Sequence, residues 1–318
     1  SAGVIIDNRT GDIVALCGGV GEKEGFDEWN RATDARLQSG SSIKPLSVYA
    51  PAFELGTVTP ATVIKDLPNH YNDGPYPLND SRKYSYSRTI YNGVVFSVNT
   101  IAANTLEKIG INYAFEFAKG KFGLSTLVDR YVSSTGEVKS DIDMGPLALG
   151  AQTWGVTVRD MASAFATFAN KGYYREGRTF TKVYDSNGNL ILDNTQNKVE
   201  LLSNKTVDYM NYCLIGGVNG GTGNEAKISG ITTAGKTGTT GDNKDKWFCG
   251  GTGYYVGCAW TGFEKVQKAI NTSYYGQNPA GKVYKEVMNR IHEGYERISF
   301  EMGDEVVRRT YCTATGSL

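Results

Sequence analysis

Apolar residues open the chain in two β-rich runs, Gly3-Val-Ile-Ile6 and Ile13-Val-Ala-Leu-Cys17, around a polar turn from Asp7 to Gly11. Gly11 can take the left-handed backbone that a bulged hairpin turn requires, so the pattern predicts a β-hairpin. Tyr184 to Leu192 shows the same turn chemistry, a recurrence of one signature rather than an internal repeat. In the middle of the chain the period changes. Ile101 to Ile109, Tyr113 to Phe122 and Val158 to Lys171 carry apolar residues three and four apart, which predicts helices. The last of these opens at Thr157 with Asp160 three residues on and closes at Gly172. Gly216 to Gly223 reads as a flexible glycine-rich loop, without the Lys-Ser/Thr ending of a phosphate-binding loop. Strands return at Thr232 to Gly235, Trp247 to Gly251 and Tyr254 to Phe263, and a terminal helix runs from about Lys282 to Ile291.

Sheet, then helices, then sheet is an α+β layout. The economical arrangement places the N-terminal hairpin and the C-terminal strands in one mainly antiparallel sheet, with the helical insert as a second lobe. That reading gives one domain over residues 1–318, with a sheet lobe at about 1–40 and 225–318 and a helical lobe at about 41–224. A cleft between the lobes is the natural place for a site.

Composition narrows the chemistry. The 318 residues are 40% hydrophobic and 21% charged, which is globular rather than disordered. Thirty-three basic residues balance 33 acidic ones, so no long-range field points to nucleic acid or an anionic membrane. His70 and His292 stand far apart with no ligand spacing around them, which disfavours a histidine-based metal site or a Ser-His-Asp triad; both are expected at the surface. Cys17, Cys213, Cys249, Cys258 and Cys312 form no CxxC pair and are odd in number, so they read as small core residues rather than a disulfide framework. The uncharged run Trp247 to Phe263 is broken by five glycines and reads as strands, not a membrane span. A chain that opens directly on a strand suggests a domain taken from a longer, membrane-anchored protein.

Gly40-Ser41-Ser42-Ile43-Lys44-Pro45 begins a predicted helix on which Ser41 and Lys44, three apart, face the same way. A serine at a helix N-terminus is favoured in developing negative charge, and a neutral lysine one turn on can take its proton: nucleophilic catalysis without histidine. A capping serine with a solvated lysine would look the same from this motif alone. Ser42 is only two residues from Lys44 and reads as a packing or capping residue. Two further patterns follow, Ser97-Val98-Asn99 just before a helix and Lys236-Thr237-Gly238-Thr239 at the end of a β run. The order S-x-x-K, S-x-N, K-T-G is the signature of penicillin-recognising serine acyltransferases. Trp29, Trp154, Trp247 and Trp260 read as aromatic core rather than cleft lining.

On these residues the chain resembles the transpeptidase domain of penicillin-binding proteins, most closely the bifunctional class A type. The likeness extends to Ile6-Asp-Asn-Arg-Thr-Gly-Asp-Ile-Val-Ala15, Asn30-Arg-Ala-Thr33, Tyr76-Pro-Leu-Asn79, Gly145-Pro-Leu-Ala-Leu-Gly150 and Asp245-Lys-Trp-Phe-Cys-Gly250. Ser39 and Gly253 depart from it, standing where the family usually has proline. The resemblance implies a two-lobed penicillin-binding-protein/serine β-lactamase-like fold, with a five-stranded, mainly antiparallel sheet, flanking helices and a helical lobe. It implies a D,D-transpeptidase that cross-links D-Ala-D-Ala stem peptides through an acyl-enzyme on Ser41 and is inhibited covalently by β-lactams. Lys44 would be the base, Ser97 the proton relay, and Asn99 would hold Lys44 and the substrate amide. Lys236, Thr237 and Thr239 would bind the substrate carboxylate, with Gly238 giving close approach and the backbone N–H groups of Ser41 and Thr239 forming the oxyanion hole. No metal or organic cofactor is implied. Cell-wall synthesis proteins, an N-terminal glycosyltransferase domain and an extracytoplasmic location on a bacterial membrane are expected by the same resemblance. The alternatives are a D,D-carboxypeptidase and a penicillin-sensing, non-catalytic binding domain. A class A β-lactamase is disfavoured because no Glu-x-x-Leu-Asn occurs; Glu200-Leu-Leu-Ser-Asn204 is the nearest string and is wrongly spaced.

Overall fold

The two N-terminal runs pair as the hairpin β1 (Ala2–Asp7) and β2 (Ile13–Cys17), with a register shift near the turn, in a computed structural model that describes residues 1–22, 25, 29–71, 73–263, 268–300, 303–307, 309–312 and 316–317. Three C-terminal strands, β3 (Ala234–Thr239), β4 (Asp245–Gly251) and β5 (Tyr255–Gly262), join them in one antiparallel sheet of order β3-β4-β5-β1-β2. Chain ends more than 200 residues apart in sequence thus meet at the β1–β5 ladder, Ala2 opposite Trp260 through Asp7 opposite Tyr255. Strand alternation splits the buried side chains between two faces. Val4, Ile6, Trp247, Cys249, Cys258 and Trp260 enter the main core, whereas Ile5, Phe248 and Ala259 enter a smaller one.

The helices that position the site are α1 (Ala50–Glu54), α2 (Ile90–Val95), α3 (Asn99–Ile109), α4 (Val158–Ala169), α5 (Asn204–Gly220) and α6 (Pro279–Ile291). Asn278 caps α6 by accepting from Gly281 N, and Ala280, Tyr284 and Met288 complete the smaller core. Thr157 caps α4, whose Phe165 and Phe168 lie against the other face. The segment that carries Ser41 does not run as one regular helix. A 3₁₀ turn at Gly40–Ile43 and a π turn at Pro45–Tyr49 precede α1, and every residue from Ser42 to Phe53 is buried. A segment apolar all round belongs inside a core, and that is where this one carries Lys44.

Four expectations need correction. Glycine content made 216–223 look like a loop, yet α5 continues to Gly220, with Gly216 packed where a Cβ would overlap the Tyr91 ring. Cys249 and Cys258 lie directly opposite each other in the β4–β5 register and form a disulfide. Cys17 and Cys312 are exposed; Cys213 alone of the remaining three is a free core thiol. His292 is buried, with Nδ1 on Met288 O at 2.7 Å and Nε2 on Thr252 Oγ1 at 2.8 Å, and burial lowers its pKa. The tryptophans divide: Trp247 and Trp260 are core, Trp29 and Trp154 exposed.

Candidate active site

Trp247, opposite Gly238 in the β3–β4 ladder, donates its indole N–H to Gln38 O at 2.8 Å. That bond ties the residues before Ser41 to the sheet. Ser39 is clamped from the other side. Its N–H donates to Gln152 Oε1 at 3.1 Å, and Gln152 Nε2 donates to the Ser39 hydroxyl at 2.7 Å. A proline at 39 would supply neither group, so the departure from the family pattern is matched by a buried glutamine. Gly40 then turns with φ +53°, and a Cβ there would stand 2.7 Å from Thr239 N and C. Gly238 is similarly required, since its Cβ would meet the Ser39 carbonyl and come within 3.0 Å of Ser42 Oγ and Trp247 Cβ. The edge strand and the Ser41 turn therefore touch backbone to backbone.

Ser41 opens into a cleft of about 240 Å³ lined by Gln38, Ser41, Asn99, Leu149, Gly150, Ala151, Thr239, Thr240 and Gly241. Behind it, Lys44 is fully buried and donates to Ser97 O at 2.9 Å and Asn99 Oδ1 at 2.7 Å. Lys236, also buried, donates to the Ser97 hydroxyl at 2.8 Å and to Thr237 O at 3.1 Å. Ser97 thus receives both lysines, one on its carbonyl and one on its side chain. It sits at φ +56°, a strained turn between α2 and α3 held by bonds from Ser97 N to Val94 O and Val98 N to Gly93 O. Ser42 Oγ, as its spacing suggested, is turned away and donates to Ser39 O at 2.7 Å.

Burial drives the Lys44 pKa well below that of an ordinary lysine, and the Lys236 charge pushes it further the same way. Burial brings Lys236 down to about 7. A neutral Lys44 amine has two N–H bonds, both used on Ser97 O and Asn99 Oδ1, which leaves its lone pair for a proton.

β3 is an edge of the sheet, and Thr240 N donates inward to Asp245 O at 3.2 Å. Antiparallel alternation then turns the Thr239 N–H outward, to the cleft side. The Ser41 N–H lies in the first turn of its 3₁₀ segment, where helical donors have no internal acceptor. These two donors flank the cleft. Thr237 Oγ1 pairs with Thr222 Oγ1 at 2.8 Å, and Thr239 lies exposed at the rim. All eight expected site residues therefore gather on one edge of the sheet and the turn beside it.

Residues beyond the three motifs fix this arrangement. Asn99 Nδ2 donates to Leu78 O at 2.9 Å, and Asn79 accepts from Thr100 N at 3.1 Å. Buried Asp66 ties that loop down, accepting from Asn79, Thr100, Ser85 N and Arg88. Burial raises the Asp66 pKa, but these hydrogen bonds outweigh it and hold the carboxyl ionised below its usual range. Tyr76 to Asn79 was visible only as family text, and Asp66 carried no signal in the sequence. Among the described residues no group of three or more His, Cys, Asp or Glu is placed to hold a metal, and no helix is long and apolar enough to cross a membrane.

A family model described as the penicillin binding protein transpeptidase domain matches residues 1–292. Penicillin-binding protein 1A of Clostridium acetobutylicum is 35% identical over 300 residues, covering 91% of this chain and 35% of that protein. Its namesake in Clostridium tetani is 30% identical over 327 residues, covering 99% and 40%. The chain therefore spans little more than a third of the length of these relatives. Among solved structures, penicillin-binding protein 1A from Haemophilus influenzae superposes with a TM-score of 0.77 at 23% identity, over 99% of this chain and 51% of that one. PonA1 from Mycobacterium tuberculosis, in complex with penicillin V, gives the same score and identity over 94% and 80%.

Proposed function

The chain belongs to the penicillin-binding protein transpeptidase family, and from that premise we propose that it is a serine D,D-transpeptidase of bacterial peptidoglycan. One observation carries the reading: Lys44, Ser97, Asn99 and Lys236 form a continuous hydrogen-bonded chain, both lysines buried, that reaches at Asn99 the cleft Ser41 lines. Ser41 attacks the carbonyl between the two D-alanines as Lys44 takes its proton. The oxyanion is met by Ser41 N–H and Thr239 N–H, each worth roughly 3 kcal/mol in comparable acyl transfers. Ser97, its oxygen held by Lys236, passes a proton to the departing D-alanine nitrogen. Lys236 and the Thr237 and Thr239 hydroxyls receive the substrate carboxylate. An amine of a second stem peptide then takes the acyl group and regenerates Ser41.

None of the residues lining the cleft is acidic, so no carboxylate there stands ready to activate water on an acyl-enzyme. This disfavours rapid hydrolysis of a β-lactam adduct of the kind a β-lactamase performs. We place the chain as one transpeptidase domain of a bifunctional protein, with a glycosyltransferase domain elsewhere in the full chain and an anchor holding it on the extracytoplasmic face of the membrane, among other cell-wall synthesis proteins.

Supplying a D-Ala-D-Ala-terminated donor with an amine acceptor tests the reading. D-Alanine should be released and a cross-linked product formed, with product rising as acceptor is added. Release without cross-linking at any acceptor concentration would make the protein a carboxypeptidase, and acylation without turnover a sensor.

The two lysines also set the pH profile. Lys44 must be neutral, so acylation rises with pH through its lowered pKa; Lys236 must be charged, so acylation of the free enzyme falls as pH rises past about 7. A bell-shaped rate profile is expected, and Lys236→Arg, which stays charged, should lose the alkaline limb while keeping the acid one. An unchanged alkaline limb in that variant would assign it to another group.

A further inference from the structure

Lys246 is a third buried lysine at this edge of the sheet, and the mechanism above does not use it. It stands on β4 opposite Thr239 and is 4% exposed. Its ammonium donates to Asn243 Oδ1 at 2.8 Å and to Thr239 Oγ1 at 3.3 Å. Asp80 and Glu225 are the carboxylates close enough to stabilise its charge, and burial outweighs them. Glu225 is already occupied, accepting from Gln277 N and Asn278 N. Among the described residues no carboxylate reaches salt-bridge distance of Lys246, so a buried cation points at a hydroxyl that lines the cleft.

A hydroxyl has one proton and two lone pairs. When Lys246 occupies a lone pair of Thr239 Oγ1, the Thr239 proton is left to be donated elsewhere, and the open direction is the cleft. The ammonium lies just behind that oxygen, so its field adds to that of Lys236 where an anion would bind, in a site partly shielded from water.

We propose that Lys246 is a positioning residue that fixes the Thr239 hydroxyl as a donor and reinforces selection of acyl donors bearing a carboxylate next to the scissile bond. This deepens, and rests on, the acyl-transfer reading of the same cleft. The probe pair is benzylpenicillin and its uncharged methyl ester, with acylation followed by intact-protein mass spectrometry to separate binding from the acylation step. Lys246→Met should weaken saturation by benzylpenicillin about tenfold, the scale of one charge-assisted contact, with little change in the limiting rate. Acylation by the methyl ester should be unchanged, and Lys246→Arg should restore most of the discrimination. Thermal melting of each variant checks the fold. Equal losses for both probes would give Lys246 a purely structural role, and no loss for either would remove it from recognition; both overturn the proposal. If the unaltered protein takes neither probe, the acyl-transfer reading itself fails and the proposal falls with it.

Discussion

Alanine at position 41 is expected to abolish covalent capture of benzylpenicillin. The unaltered protein should gain one persistent adduct per chain, and Ser41→Ala should gain none at any exposure time. The neighbouring Ser42 cannot substitute, because its hydroxyl is buried and committed to Ser39 O. Turnover of a peptide donor should fall by about 10⁶-fold, the size of effect seen when another serine acyl-enzyme loses its nucleophile. Intact-protein mass spectrometry after drug removal checks both halves. An adduct that survives in Ser41→Ala would identify a different nucleophile, and rapid loss of adduct from the unaltered protein with consumption of drug would make it a β-lactamase.

Removing the base should be nearly as damaging. Lys44→Met is expected to slow acylation by about 10²–10⁴-fold, the usual contribution of general-base catalysis. Unlike most core changes, it should not lower thermal stability. The methionine is apolar and of similar length, and its burial ends the cost of desolvating an ammonium, which offsets the two hydrogen bonds lost at Ser97 O and Asn99 Oδ1. The sign follows from linkage. A lysine whose pKa is lowered by folding binds fewer protons folded than unfolded, so below the unfolded value near 10.4 it weakens the fold, increasingly so as pH falls. Melting curves at neutral pH beside stopped-flow acylation distinguish the outcomes; a large drop in melting temperature would mean that Lys44 is chiefly structural.

Much of this was readable before any coordinates, for a physical reason. Ser41, Lys44, Ser97, Asn99 and Lys236 are ordered polar residues in otherwise apolar surroundings, and acyl transfer without histidine demands those types in short motifs. What they touch was not readable. Asp66 reaches Thr100 across 34 positions and Gln152 reaches Ser39 across 113, and such contacts leave no local pattern. The Cys249–Cys258 pair depended on a strand register that composition does not encode. Gly216 to Gly220 misled because glycine lowers helix propensity, yet tertiary packing, here of Gly216 against the Tyr91 ring, overrides propensity. Lys246 stood in the sequence only as part of the family text, and it is the strand register that sets it against Thr239.

The seam in which Gly40 abuts Thr239 and Gly238 abuts Ser39 limits how this protein can adapt. Binding sites ordinarily drift by exchanging side chains, and at Gly40 and Gly238 there are none to exchange. Selection by a drug that mimics the substrate therefore has little purchase beside the nucleophile. Its accessible targets are the side chains at the mouth, Gln38, Leu149, Ala151 and Thr240, where a substitution can narrow entry without moving the serine. Resistance arising in this protein should accumulate at that rim.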